Sequence, residues 1–551
     1  MALCIQCSQP VFVPRVSSDA DLDLDDTSRK VRTGAIPSME EASLLSEEIA
    51  AMELDLKEYV THLHRLQAAV DAMVAKADQL KRLLSMKQSL MAPIRKLPDD
   101  ILTLIFELCP FDITGLRKKS PAFMDVCSHW RDVVLSSPTV WSFFSISSSS
   151  RMRSFNLQLD RSRACPLNVD VGLKGTDIYY MVGSRTSPFQ LFGVLVQHSY
   201  RWKSFALRVK QNMDTDQAMR LTQRLRSIHD LSQLKSFTYY SEYPLDKEAM
   251  SNILKAAVNL ENLTLPYFPH DAESSFSLSN ITRLEVLIWN NNADVFRIVE
   301  RCPKLIDVEY VLDSSDPSLD VWPQKSITVQ SLTITLGYVD PRAESLPKLI
   351  GSFDFPALTS ITITTAPHWK KPYSKPWPNQ QFDEFFLRSG CKITSLSMNY
   401  VRIFDHEMIG FLGSDAFSQL ADLSIRECPN PQVVISPPDE RYLSMARRFV
   451  QNIFYLSPPA GLPMANASRP LLPQLAKLLL VVDAERGTFD DEVFAEAVLS
   501  RCSCKPRYLR SIFLGMVGRD FDQGVLERLR DGIGSVDLQV VNNCPIRDDL
   551  Y

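Results

Sequence analysis

The chain has 551 residues, 45% of them hydrophobic and 23% charged, with 18 Gly and 34 Pro. That composition gives ample core and excludes collagen-like and wholly disordered chains. A net charge of −5 lacks the basic excess of a duplex-coating protein, so nucleic acid is not an expected partner.

Length suggests three or four domains unless repeats carry it. No run of 18 apolar residues occurs, so no membrane span is expected. The start, Met1-Ala-Leu-Cys-Ile-Gln-Cys7, lacks the basic region and apolar core of a secretory signal. The 11 scattered cysteines then read as reduced thiols, and the expected location is cytoplasmic or nuclear.

Residues 1–43 read as a disordered, charged tail. Asp21, Asp23 and Asp25 have the spacing of a calcium loop. Asp26, however, stands where that loop needs Gly, and Arg32 where it needs a bidentate Glu. Residues 44–92 contain neither Gly nor Pro. Apolar residues recur there in alternating steps of three and four, from Ile49 and Met52 through Leu56, Leu63, Leu66 and Val70 to Leu84. That is a coiled-coil seam, and the segment is expected to be one long helix. Self-association through residues 49–84, or packing on the chain's own body, would satisfy it. Pro93 stops the helix.

Residues 93–145 form the next unit. Pro98, Asp99 and Asp100 suit a helix start. Ile101, Leu102, Ile105, Phe106 and Leu108 are too many apolar residues for a one-sided helix, which therefore needs cover on two sides. A second helix, 121–134, is expected to carry Phe123, Val126, Cys127, Trp130 and Val134 on one face. Ser137-Pro138 and Trp141 close the unit.

From 150 to 545 the pattern apolar-x-x-apolar-x-apolar recurs in twelve matches, from Trp202/Phe205/Leu207 to Ile533/Val536/Leu538. Leu284/Leu287/Trp289 is among them. Seven of the eleven gaps lie between 21 and 29 residues, the period of a leucine-rich repeat. Asn292 and Cys428 fall three residues after their kernels, where that repeat favours Asn or Cys. Insertions are expected near 366–381 and 429–473. The first interleaves Trp369, Tyr373 and Trp377 with Lys370, Lys371 and Lys375. These aromatics are candidate substrate anchors, or the loop folds onto the repeat edge. Between the kernel positions, Thr264, Ile288, Glu309, Thr333, Thr362, Ser397, Ser424 and Leu479 should face outward and offer a second binding surface. The expected fold is an α/β solenoid, leucine-rich-repeat-like, with short parallel strands plus helices. An all-α unit and a long coiled-coil-like helix precede it.

No phosphate loop, dinucleotide fingerprint or nucleophile elbow is present. His406-Glu407 lacks the second His of a zinc helix, and neither Cys4-x-x-Cys7 nor Cys502-x-Cys504 has a partner pair. No cofactor, metal site or catalytic residue is expected. Arg201-Trp202 reads as a capping and packing pair.

Residues 93–141 resemble an F-box. Pro93-Ile-Arg-Lys-Leu-Pro-Asp-Asp-Ile-Leu-Thr-Leu-Ile-Phe106 matches the family's opening. Val126-Cys-Ser-His-Trp-Arg-Asp-Val-Val-Leu-Ser-Ser-Pro-Thr-Val-Trp141 matches its close. The loop at 110–120, with Gly115, Arg117, Lys118 and Lys119, departs from the pattern. Leu159-Asp-Arg-Ser-Arg-Ala-Cys-Pro-Leu-Asn-Val-Asp-Val171 and His198-Ser-Tyr-Arg-Trp-Lys-Ser-Phe205 resemble F-box proteins abundant in mushroom-type fungi. The resemblance implies a non-catalytic substrate-recognition subunit of a Skp–cullin–F-box ubiquitin ligase. Its F-box would dock a Skp-type adaptor, and through it a cullin, while the repeats bind a protein substrate. Carried over, the adaptor contacts are Leu97, Pro98, Ile101, Leu102, Ile105, Val126, Trp130 and Trp141. The alternative is a ligase-independent scaffold of coiled coil and repeats.

Overall fold

The computed structural model describes Arg15 and residues 20–109, 122–146, 152–173, 186–209, 215–241, 247–266, 278–288, 298–312, 323–337, 345–365, 377–401, 403, 405–427, 449–450, 471–483, 489–503, 508–542 and 544. They fall into two compact units, the first ending at Ile101 and the second beginning at Leu102.

The first unit is helical. Helix α1 spans Ala20–Thr33, where a disordered tail was expected. An Asp26–Lys30 ion pair at 2.8 Å, one turn apart, supports it. Helix α2 spans Met39–Leu90, 52 residues without a break. Ser38 caps it: its hydroxyl accepts from the Glu41 N–H, and the Glu41 carboxylate accepts from the Ser38 N–H. The long helix expected over 44–92 is therefore present and starts five residues earlier. Apart from Ala77, its seam residues are 45–71% exposed from Ile49 to Leu84. Asp55 alone on α2 is buried. The Arg15 backbone N–H and guanidinium donate to its two oxygens at 2.8 Å, and the same guanidinium reaches Glu58.

Helix α3 spans Asp99–Glu107. The second expected helix is shorter: a 3-10 turn, Ala122–Asp125, precedes α4 at Ser128–Ser136. The break falls at Cys127, which is extended and accepts the Trp130 N–H on its Sγ. It takes the capping place a Ser or Asp usually fills.

The second unit carries a parallel sheet of 14 strands in which each strand pairs with its neighbours in sequence order. The first strands are β1 (Phe143–Ile146), β2 (Leu167–Leu173), β3 (Trp202–Val209), β4 (Ser236–Ser241) and β5 (Asn262–Leu265). Then come β6 (Arg283–Ile288), β7 (Asp307–Leu312), β8 (Gln324–Lys325), β9 (Ser331–Leu336), β10 (Phe353–Asp354) and β11 (Ser360–Thr365). The last are β12 (Ser395–Asn399), β13 (Asp422–Arg426), β14 (Lys477–Asp483), β15 (Ser511–Val517) and β16 (Asp537–Val541). Short β8 and β10 pair with each other alone. Helices such as Lys247–Ala256, Asn379–Ser389 and Asp491–Ser503 return the chain between strands, as parallel pairing requires. Gly390 ends the second of these with φ 61°, and its N–H bonds to the Phe386 carbonyl.

The kernel residues pair in register. Phe144, Val169, Phe205, Phe237, Leu263, Leu284 and Val308 form one continuous ladder. Leu332, Ile361, Leu396, Leu423, Leu478, Ile512 and Leu538 extend it to the far edge. Two residues on, a second inward ladder runs beside it. Strand alternation sends both to one face, and nearly every rung is buried.

This corrects the frame at two places. Leu284, not Leu287, pairs with Leu263 and Val308, so the kernel there is Ile281/Leu284/Val286. Asn292 thereby loses its place three residues after a kernel, and both it and Cys428 lie outside the described residues. At the end, Leu538 and Val540 are the inward pair, which puts Ser535 in the first kernel position instead of Ile533. Strands β1 and β2 are additional. The same spacing puts Trp141 in the first kernel position ahead of Phe144 and Ile146; it lies in the 3-10 turn Pro138–Trp141 just before β1.

Leu332 is fully buried, and Thr333 beside it faces outward, half-exposed. Leu332→Ala should cost ~2–5 kcal/mol in urea unfolding, and Thr333→Ala under about 1 kcal/mol. A larger loss at Thr333 would mean that this strand is turned over.

Candidate functional site

Two surfaces come from the elements above. The first is helical. Leu102 and Phe106 point inward, 1% and 2% exposed. Phe106 stacks on Phe123 at 4.7 Å and meets Trp130 edge-on at 5.2 Å. Thr103 and Ser137 share a hydroxyl hydrogen bond at 3.1 Å. The opposite face of α3 is apolar too: Ile101 and Leu104, with Leu108 in the turn just past its end, are 43%, 54% and 82% exposed. At spacing i, i+3, i+7 they form one stripe along the helix.

The sequence-derived adaptor contacts therefore separate. Pro98, Ile101 and Val126 are exposed, and Leu97 and Ile105 are half-buried. Trp130 is half-buried in the aromatic cluster. Leu102 and Trp141 are core residues. The Trp141 indole N–H donates to the Val134 carbonyl at 2.8 Å, and the Arg161 guanidinium lies 4.4 Å from its ring centre. Those two are corrected from surface to interior. Leu104 was missed, although its position three after Ile101 and four before Leu108 marks it.

The second surface is the sheet's outward face. Its central ladder runs Ser145, Asp170, Ala206, Thr238, Thr264, Glu285, Glu309. It continues Thr333, Thr362, Ser397, Ser424, Leu479, Phe513, Gln539. All the expected outward residues are on it except Ile288, whose place the register shift gives to Glu285. Charge gathers on β2 to β7. Asp170 and Arg208 form an ion pair. Glu285 and Glu309 are direct neighbours on adjacent strands. Thr264 donates to Glu285 at 2.9 Å and Thr335 to Glu309 at 3.1 Å, while Arg283 lies 3.6 Å from Glu309. Burial, with the Glu309 charge next, holds the Glu285 carboxyl above the usual carboxylate range.

The third expectation, the 366–381 insertion, is only partly described. Trp369 and Tyr373 lie outside the described residues. Trp377 is buried: it stacks on Phe382 at 5.6 Å and its backbone N–H donates to Glu407 at 2.9 Å. It is a core residue at the start of helix Asn379–Ser389, not an exposed anchor. Glu407, read above beside His406, thus has a structural partner. Arg201 does cap: it donates to the Ser162 and Cys165 carbonyls from a buried position.

Burial pushes the Cys302 thiol up to about 12 and the Cys391 thiol to about 11, so neither supplies a thiolate near neutrality. Both surfaces offer binding groups: apolar side chains on α3; hydroxyls, carboxylates and guanidinium groups on the sheet. Among the described residues no helix is long and apolar enough to cross a membrane. No protein-family model matches the chain, and a search of curated proteins finds no match.

The raised carboxyl has a pH signature. A folded-state acid held above its unfolded value costs stability as pH rises from about 4.5 through the folded value. Glu285→Gln should therefore raise the thermal midpoint near pH 7, and the gain should vanish below about pH 4. A midpoint unchanged at both pH values would show that the buried carboxylate costs nothing.

Proposed function

We propose that the chain is the substrate-recognition subunit of a Skp–cullin–F-box ubiquitin ligase. In this reading residues 93–145 are the F-box and the sheet with its helices is a leucine-rich-repeat-like solenoid. The observation that carries the proposal is the apolar stripe Ile101, Leu104, Leu108. It lies along the helix that follows Leu97-Pro98 and opens with Asp99-Asp100, while Leu102 and Phe106 satisfy the other face. A short helix with apolar residues on both sides is a helix-in-groove ligand still lacking its groove. The adaptor would supply it. Leu97, Pro98 and Ile105 flank the stripe in the chain, and Val126 is a further exposed contact. Trp130, Leu102 and Trp141 hold the module together instead.

Substrate in this reading is a polypeptide on the outward strand face. At the described positions that face carries mostly hydrogen-bonding and charged groups, which suits a protein surface more than a small cofactor. In-register strands of the repeat type support it, since each repeat adds one rung to a continuous face. A scaffold without ubiquitin transfer is the second reading, favoured by the exposed seam of α2.

The adaptor separates the readings. Leu104 and Leu108 are exposed, so replacing both by Ala should leave folding intact and lower adaptor affinity tenfold or more, since a large side chain at an interface centre contributes ~1–3 kcal/mol. The pair Leu97→Ala, Pro98→Ala should act in the same direction. Wild-type adaptor pull-down from both variants at wild-type thermal stability would reject the assigned surface. A wild-type chain that binds no Skp-type adaptor would reject the ligase reading itself.

A further inference from the structure

Helix α2 carries twelve seam residues at a and d positions from Leu45 to Leu84, with a at Ile49, Leu56, Leu63, Val70, Ala77 and Leu84. Ten of the eleven from Ile49 to Leu84 are large apolar residues at least 45% exposed; the eleventh is Ala77. Five heptads exceed the length at which such a seam pairs stably. Two independent features decide what pairs with it: the distribution of charge and the sizes of the seam residues.

Over residues 39–64 the net charge is −6, and over 65–90 it is +3. Arg15, bound to Asp55 and Glu58, reduces the first figure by one and leaves its sign. In a parallel pair the g residue of one helix meets the e residue five positions on in the other. That would set Glu48 against Glu53 and Lys76 against Lys81, both like-charge contacts. Parallel packing would also stack Tyr59 on Tyr59 and leave Ala77 facing Ala77 across a gap.

We propose that the occupant of the seam is a second copy of this chain, running antiparallel. Turning one copy over about the helix midpoint sets residue 39 opposite 90. Every a position then meets a d position: Leu45 with Leu84, Ile49 with Leu80, Met52 with Ala77, Leu56 with Met73, Tyr59 with Val70, Leu63 with Leu66. Met52 then fills the space beside Ala77 and Tyr59 faces the smaller Val70, the other four pairs join residues of like size, and no seam residue is left over. The acidic half lies along the basic half, and Glu48/Glu53 and Lys76/Lys81 are separated. At ~1.5 Å per residue the carboxy-terminal ends of the two helices lie roughly 75 Å apart. The inference does not depend on the ligase reading.

Two measurements on the full chain test it. Light scattering at micromolar concentration should give a dimer, and a monomeric mass overturns the proposal. Chains carrying Ile49→Cys and Leu80→Cys, mixed and oxidised, should yield a disulfide between positions 49 and 80 on peptide mapping; links of 49 to 49 and 80 to 80 overturn it. Lys81→Glu guards against disturbed seam packing, because position 81 lies beside the seam. It removes a like-charge contact from a parallel pair and adds one to an antiparallel pair. Dimer affinity should fall several-fold, and a gain in affinity overturns the orientation.

Discussion

The structure of the second unit depends on one constraint: parallel strands must align their apolar rungs. A strand of the main sheet has four to eight residues and two to four inward side chains. It cannot bury them alone, so each rung is covered by the rung before it, the rung after it and the returning helix. Leu332 is buried because Val308 and Ile361 stand beside it in register. A slip of one residue would turn every hydroxyl and carboxylate of that strand inward. Stability and register are therefore one property. The weakest points are the ends, and they differ. Strand β16 has neighbours on one side only, and no residue of it is fully buried. At the other end Trp141 fills the first kernel position, fixed by the Val134 carbonyl and the Arg161 guanidinium.

Most of this was legible because two periods coincide in the sequence, alternation within each strand and a return that in most repeats comes after 21–29 residues. The errors have physical causes. Between Ile281 and Trp289 six residues are large and apolar, so two frames fit the kernel, and only pairing with Leu263 and Val308 selects one. Strand β2 was invisible because Pro166 occupies its first kernel position. Strand β1 was hidden because Trp141 had already been explained as part of the helical segment. Trp377 misled because aromatic residues among lysines read as an exposed anchor. Its burial comes from Phe382 and Phe411, the second of which is 34 residues distant in sequence. Local pattern cannot register a partner that far away.

The helical segment shows the same limit at shorter range. An excess of apolar residues was evident from sequence; which of them face inward was not. The division follows Phe106, whose ring lies between Phe123 and Trp130. Once Phe106 is inside, the helical repeat turns Leu102 in with it and leaves Ile101, Leu104 and Leu108 out. The break at Cys127 could not be read from apolar spacing, since Val126 and Cys127 both fit a continuous face. It arises from the capping geometry of Cys127, which is extended and accepts the Trp130 N–H.

Alternation also separates what holds the chain together from what it presents. The inward ladder is almost uniform in chemistry, aliphatic or aromatic from Phe144 to Leu538. The outward ladder is not. It carries Asp170 on β2 and Glu285 and Glu309 on β6 and β7, with Ala206, Thr238 and Thr264 between them, then Thr and Ser on β9 to β13, and Leu479 and Phe513 on β14 and β15. Because neighbouring positions on a strand face opposite sides, an outward residue can change without disturbing the rung next to it. Glu285 is the exception that shows the limit of this independence. Its carboxyl is buried enough to be held above its usual range, so a charge placed on the outward face there is supported at a cost to the fold. Thr264 and Thr335 offset part of that cost by donating hydrogen bonds to the two carboxylates. The strand neighbours of this acidic pair are thus the positions where the demands of the fold and of the outward face meet.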